Sequence, residues 1–150
     1  MSLTRGTPQG AVWSLWLWAV AIGDLPDHIT SGETVCLADD CTVIVSDPDP
    51  HQAKSKMDRS MQDISRYTRS NRVMLSPEKT QMLVIPGGVK KCEEEQGIEC
   101  TMDGAIIKPK STITVIGATL DERLNGEAHA AAAAQKACGA LHQLAPTVHP

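Results

Sequence analysis

The sequence predicts an α+β domain, with helices on one face of an antiparallel sheet. Three features carry that expectation: apolar recurrence at helical spacing over 11–22, two runs rich in β-branched residues flanking Asp39 and Asp40, and an alanine-rich stretch around residue 130. Between them the pattern runs helix, hairpin, helix, short strands, helix. A length of 150 residues and 41% hydrophobic content suit one domain with an ordinary core.

Thr7-Pro8-Gln9-Gly10 is a turn signal, and behind it Trp13, Trp16, Leu17 and Val20 recur with a helical period. A buried helix is expected over about 11–22, ending near Gly23 and Pro26, with its tryptophans in the core. The run is too short to span a bilayer. With Arg5 ahead of it and Ala19-Val20-Ala21 at its end, it also fits a small exported protein cleaved after Ala21, an alternative the residues leave open.

From Thr34 to Ser46 the residues read strand, acidic turn, strand, with Val35 and Leu37 before the turn and Val43 and Val45 after it. "SDPDP" breaks the chain, and Ser46 or Asp47 is expected to cap the next helix. Met57, Met61, Ile64 and Tyr67 then mark the core face of an amphipathic helix over 51–70. Its outer face gathers Lys54, Lys56, Arg59, Arg66, Arg69 and Arg72, with Asp58 and Asp63 as the acids of that stretch. The net charge of −4 gives no general attraction to nucleic acid, so this face is either solvated surface or a local contact for it.

A strand is expected around Gln81 to Ile85, and "GGVKKCEEEQG" reads as an exposed connection. Asp103-Gly104 is a tight-hairpin signal between two short strands. "TITVIGATL" reads as another strand and "EAHAAAAAQKACGALHQLA" as a helix. The cysteines Cys36, Cys41, Cys92, Cys100 and Cys138 form no C-x-x-C, which argues against a zinc ribbon and a disulfide framework. Cys36 and Cys41 face each other across the expected hairpin, where buried free thiols and a reducing, intracellular compartment (nuclear or cytoplasmic) are expected.

Asp39 and Asp40 need a reason. Two carboxylates about 4 Å apart repel by roughly 4 kcal/mol at an effective dielectric near 20, and a divalent cation between them reverses the sign. A solvated acidic turn is the plainer alternative.

Four segments decide between them: "RGTPQGAVWSLWLWAVAIGDLP", "LADD", "NRVMLSPEKTQMLVI" and "VIGATLDERLNGEAH". In order and spacing, the chain resembles the later half of a reverse transcriptase domain of the non-LTR retrotransposon kind. The resemblance implies a partial polymerase palm over 1–125 and, over 126–150, a helix starting a thumb or connection. It implies an RNA-directed DNA polymerase that works by two-metal nucleotidyl transfer on an RNA template, a DNA primer and deoxynucleotides, with Mg2+, or Mn2+ in its place, and no membrane. Asp39 and Asp40 fall on metal-binding carboxylates and Lys79 on the lysine near the leaving pyrophosphate. Pro8, Gln9 and Gly10 fall on the nucleotide pocket, and Val115, Ile116 and Gly117 on the hairpin that grips the primer end. His129 matches the family's histidine, though a surface helical position is the expected role. Lys54, Arg59, Arg66 and Arg69 are the candidate nucleic-acid contacts.

The match departs from the family pattern at Ala11 for Ser, Leu15 for Pro, Trp18 for Phe, Leu37 for Tyr, Ser76 for Asn and Gly126 for Trp. The family also uses a further aspartate, on a strand ahead of the Pro-Gln-Gly turn, and a set of fingers. This sequence reaches that turn by residue 10, so the chain is expected not to polymerise alone. A non-catalytic remnant that binds nucleic acid through the 54–72 face is the corresponding alternative.

Overall fold

A computed structural model describes residues 12–87 and 98–144. The α+β class holds. Helix α1 (Ser14–Ile22) leads through a single 3-10 turn (Leu25–His28) to strands β1 (Glu33–Leu37) and β2 (Asp40–Ile44), then to α2 (Pro50–Ser70). Strands β3 (Cys100–Met102), β4 (Ala105–Ile107), β5 (Thr112–Val115) and β6 (Ala118–Asp121) come next, and α3 (Glu127–Leu144) closes the described chain. The antiparallel pairing takes the form of three two-stranded ladders: β1–β2, β3–β4 and β5–β6. No described helix is long and apolar enough to cross a membrane.

The chain divides into two compact units, Met1–Thr80 with Glu93–Lys108, and Gln81–Cys92 with Pro109–Pro150. In the first, α2 is the organising element. Asp49, not Ser46 or Asp47, is its cap, because Pro50 occupies the first helical position and the Asp49 carboxylate accepts the His51 N–H at 2.9 Å. Asp47 instead accepts the Asp49 N–H and pairs with Lys56 at 2.8 Å, and that pairing holds its carboxyl below the usual range. The helix stops where Arg72 turns left-handed at φ 57°, which lets the Val73 N–H reach back to the Thr68 carbonyl at 2.8 Å.

The expected core face is buried at Met61, Ile64 and Tyr67. Ser60 is fully buried, and its hydroxyl donates to the Lys56 carbonyl at 3.1 Å. The 3-10 turn and β3 lie against α2, so Leu25, Cys100 and Met102 complete this core. Buried Asp63 ties in the segment ahead of β1: it accepts from the Thr30 hydroxyl at 2.9 Å, from the Thr30 N–H at 3.2 Å and from Arg66 at 3.1 Å. These donors, the Thr30 hydroxyl first, hold its carboxyl below the ordinary value against the opposing effect of burial.

Helix α1 departs from expectation. Ile22 is its buried residue, whereas Trp13, Trp16, Leu17 and Val20 are exposed, Trp16 at 68% and Val20 at 81%. The helix is apolar on every side, and a period of apolar residues says which faces suit burial without supplying a surface to bury them.

In the second unit the run read as one strand is a hairpin, β5–β6, because Ile116 at φ 48° and Gly117 at φ 82° turn the chain between Val115 and Ala118. The strand expected at 81–85 is reduced to a single bridge between Met82 and Pro109, supported by the Lys110 N–H on the Met82 carbonyl at 2.8 Å. Pro109 has no N–H to extend the ladder. Ahead of α3, the Asn125 side chain accepts the Glu127 N–H, and Gly126 adopts φ 78°, a conformation the family's Trp would take only at a cost. The stretch read as an exposed connection lies, from 88 to 97, outside the described residues.

Asp63→Asn is expected to lower stability by about 1.5 kcal/mol at neutral pH, since a charged acceptor of several bonds becomes neutral. A depressed folded pKa stabilises above the unfolded value and is lost as pH falls through the folded one. The gap between the two proteins in denaturant midpoint should therefore close below the ordinary value of 3.8, and a gap unchanged by acid would show that the charge is not its source.

Candidate functional site: the Asp39–Asp40 hairpin

The β1–β2 register pairs Leu37 with Asp40 and leaves Ala38 and Asp39 as a two-residue loop. Ala38 stands at φ 54°, in the position of a primed turn that normally takes Gly, at a cost of roughly 1–2 kcal/mol. Its carbonyl accepts the Trp18 indole N–H at 3.0 Å, which ties the tip of the loop to α1. This bond exists because Trp replaces the family's Phe at that position, and a phenyl ring has no donor to offer.

Asp39 is at the tip and Asp40 opens β2, both exposed. Neither carboxylate has a hydrogen-bond or ion-pair partner among the described residues. Oxygen donors of this kind suit a hard cation such as Mg2+, which commonly takes one or two carboxylates and completes its shell with water and phosphate. No group of three or more His, Cys, Asp or Glu gathers among the described residues, so the hairpin offers a fitting but partial ligand set.

Cys36 and Cys41 are joined in a disulfide, which corrects the expectation of free thiols. They are directly opposed, with Cα atoms 4.1 Å apart. Since Leu37 and Asp40 close the turn, the next pair out is a non-hydrogen-bonded one, in which strands bring side chains closest. Leu37, where the family has Tyr, is 55% exposed.

The other expected site residues are scattered. Pro8, Gln9 and Gly10 lie outside the described residues. Lys79 is exposed in a turn whose N–H groups at Lys79 and Thr80 both reach the Ser76 carbonyl at 3.1 Å, and no described contact joins it to the Asp pair. Val115, Ile116 and Gly117 form the tip of the β5–β6 hairpin. A β-branched residue at positive φ is an outlier, and Ile116 is also 61% exposed. His129 is exposed on α3 and accepts the Thr119 N–H through Nδ1 at 3.3 Å, in keeping with a surface helical histidine.

The basic face of α2 is largely neutralised. Lys54 pairs with Asp58 at 2.8 Å, Arg66 with Asp63 at 3.1 Å and Arg69 with Asp103 at 3.0 Å, while Arg59 is exposed with no partner among the described residues. The Asp58 carboxylate holds the Lys54 ammonium above its usual pKa. Lys54, Arg69, Asp58, Asp103 and Thr101 line an open groove of about 740 Å³ beside α2 and the β3–β4 turn. Counting charges along one stretch missed Asp47 and Asp103, which come from elsewhere in the chain.

A further cluster had no sequence signal. The Tyr67 phenol shares its proton between the Asp24 carboxylate and the Ala21 carbonyl, the latter at 3.0 Å, and His28 Nε2 lies 3.4 Å from Asp24. Burial, then the neighbouring carboxylate, pushes the Tyr67 phenol up to about 12, and the phenol's bond holds Asp24 below the usual carboxylate range. The cluster fastens the end of α1 to α2.

Because the cations of α2 are already paired, removing acids should matter more than removing bases. The doubly substituted chain Asp58→Asn, Asp103→Asn is expected to bind a single-stranded oligonucleotide several-fold more tightly at low salt, with a log–log salt slope steeper by about one unit. Fluorescence anisotropy across a salt series reads both. Equal slopes would mean that Lys54 and Arg69 leave their partners at no cost.

The sequence profile of the reverse transcriptase (RNA-dependent DNA polymerase) family matches residues 1–120, well over half of the chain. No curated protein and no solved structure matches it. Domains of that family act on nucleic-acid templates and nucleotides and generally use divalent metals. By that match, the chain belongs to the reverse transcriptase (RNA-dependent DNA polymerase) family.

Proposed function

We propose that the chain supplies part of the catalytic palm of a non-LTR retrotransposon reverse transcriptase, which extends a DNA primer on an RNA template by two-metal nucleotidyl transfer. The observation that carries the reading is the Asp39–Asp40 tip. Two exposed carboxylates without a protein partner among the described residues stand at a strained two-residue turn, in a chain of this family. Uncompensated like charges at a strained turn are a cost that folding alone does not repay.

In this reading Asp39 and Asp40 hold Mg2+ or Mn2+, which when bound offsets charge on the phosphoryl oxygens and favours the attacking hydroxyl. The β1–β2 ladder and the Trp18 bond set the resting position of the two carboxylates without holding it firmly. Lys79 faces the leaving pyrophosphate, where a cation offsets developing negative charge. Pro8, Gln9 and Gly10 shape the nucleotide pocket, and Val115 to Gly117 contact the primer end. The setting is intracellular, nuclear or cytoplasmic. Export with cleavage after Ala21 has less support, because the family match takes in residues 1–21 and Tyr67 bonds on both sides of that point, at Ala21 and Asp24.

Among the described residues no third His, Cys, Asp or Glu joins the two carboxylates, so no primer extension is expected from the chain by itself at any Mg2+ or Mn2+ concentration. Mn2+ should still bind, as read by electron paramagnetic resonance, and Asp39→Asn or Asp40→Asn should each weaken that binding by about tenfold through the loss of a charge. Mn2+ binding indifferent to both substitutions would sink the assignment of the pair as metal ligands. Extension by the isolated chain, abolished by Asp39→Asn, would show the site to be complete.

A further inference from the structure

The catalytic reading leaves the Cys36–Cys41 pair without a role. We propose that these two cysteines form a reversible thiol–disulfide site whose closure fixes the Asp39–Asp40 tip in place and whose opening releases it. The pair is directly opposed, and between the two sulfurs the chain holds only Leu37, Ala38, Asp39 and Asp40. The covalent ring therefore encloses the tip itself.

Other contributions to the order of that tip are small. β1 and β2 form a ladder of their own, and a lone two-stranded hairpin is marginal in water. Val35, Leu37 and Ile44 are each more than half exposed, so little apolar packing holds the strands together. Ala38 occupies a conformation that disfavours the turn, and the Trp18 bond to its carbonyl is exposed to competition from water. A cross-link acts by removing open conformations of the chain, an effect that does not depend on burial.

The chemistry is selective among the described cysteines. Cys41 is exposed and can be reached by a small disulfide, whereas Cys100 is buried and burial pushes its thiol up. Cys138 is exposed and has no second sulfur beside it among the described residues, so within those it can only carry a mixed disulfide. With a low-molecular-weight disulfide as oxidant, the sulfur of Cys41 attacks one of its sulfurs and expels one small thiol. The sulfur of Cys36 then displaces the second small thiol from Cys41. Two protein thiols lose two electrons and two protons, and the small disulfide becomes two small thiols. A dithiol reverses the sequence. In an intracellular setting such a pair is a transient, regulatory disulfide rather than a permanent staple.

The consequence for a cation rests on the reading of Asp39 and Asp40 as metal ligands; the thiol–disulfide site does not. The test uses the full chain equilibrated in reduced-to-oxidised glutathione mixtures, with each cysteine mapped by differential alkylation and peptide mass spectrometry. Hydrogen exchange and Mn2+ binding are measured at both extremes. Cys36 and Cys41 are expected to pass together from alkylated to linked, while Cys138 takes up glutathione only. Exchange in the peptide spanning 37–41 should quicken about tenfold or more on reduction, with α2 unchanged as the indicator of an intact fold. Cys36→Ser and Cys41→Ser should each give the fast exchange in both buffers. Cys36 and Cys41 alkylated at every glutathione ratio, or tip exchange equal in both states, overturns the proposal. If tip exchange responds but Mn2+ fails to bind in either state, the redox site stands and the metal reading of the Asp pair falls.

Discussion

Tyr67 and Asp63, about one turn apart on α2, fasten the segment that ends α1 and leads into β1. Tyr67 reaches Ala21 and Asp24, and Asp63 holds Thr30 through both its hydroxyl and its N–H. Between those anchors Leu25 and Ile29 are buried, so polar and apolar terms act on the same stretch. Without them α1 has little else to keep it in place, because most of its apolar side chains face outward. The Trp18 bond to the hairpin tip depends in turn on α1 being held. A polar contact on α2 therefore reaches the Asp39–Asp40 turn through a chain of short links, each with a named donor and acceptor.

Electrostatics in the first unit obey one rule. Wherever α2 presents a cation toward its neighbours, an acid meets it: Asp47 for Lys56, Asp58 for Lys54, Asp63 for Arg66, Asp103 for Arg69. The more exposed of these pairs, Lys54–Asp58 and Arg69–Asp103, add little stability in solvent, so their chief effect is on the outside field. They remove most of the positive potential that a nucleic acid would feel, leaving Arg59, among the candidate contacts Lys54, Arg59, Arg66 and Arg69, as the exposed cation without a partner among the described residues. The Asp pair shows the opposite arrangement, with two like charges left unmatched among the described residues. That contrast within one small unit is the strongest physical reason to look for a cation at the hairpin and not for a polyanion on α2.

Local chemistry was legible in the sequence, and long-range partnership was not. The Asp-Gly turn at 103–104, the acidic hairpin, the amphipathic period of α2 and the alanine helix all rest on contacts within a few residues, where propensity and turn geometry act directly. Most misses have a long-range cause or a proline behind them; the Cys36–Cys41 disulfide is a local one, since residues five apart became partners through the hairpin register. The strand expected at 81–85 needed a partner, and the one it meets ends in Pro109. The burial expected for Trp13 and Trp16 needed a covering surface. The cap stands at Asp49, not at Ser46 or Asp47, because Pro50 fixes where the helix can begin. The resemblance located the hairpin over 115–120 that periodicity alone had read as one strand, because Ile116 is an improbable turn residue and only Gly117 signals the bend.

Non-glycine residues adopt positive φ at Ala38, Arg72, Asp103, Ile116 and Leu124, and two of these, Ala38 and Ile116, stand at tips that the family pattern singles out. Ala38 and Ile116 both adopt positive φ, and neither residue type is suited to it, whereas the third hairpin turns on Asp103 and Gly104, which are. A sequence selected for stability alone would place Gly or Asn at 38 and 116. The hairpin with ideal turn residues contributes Cys100, Met102 and Ile107 to the buried residues, while the two strained ones carry Asp39 and the candidate primer contact at exposed tips. Among the three hairpins, the turn residues least suited to positive φ stand at the positions read as functional, while Arg72 and Leu124 adopt the same conformation away from them.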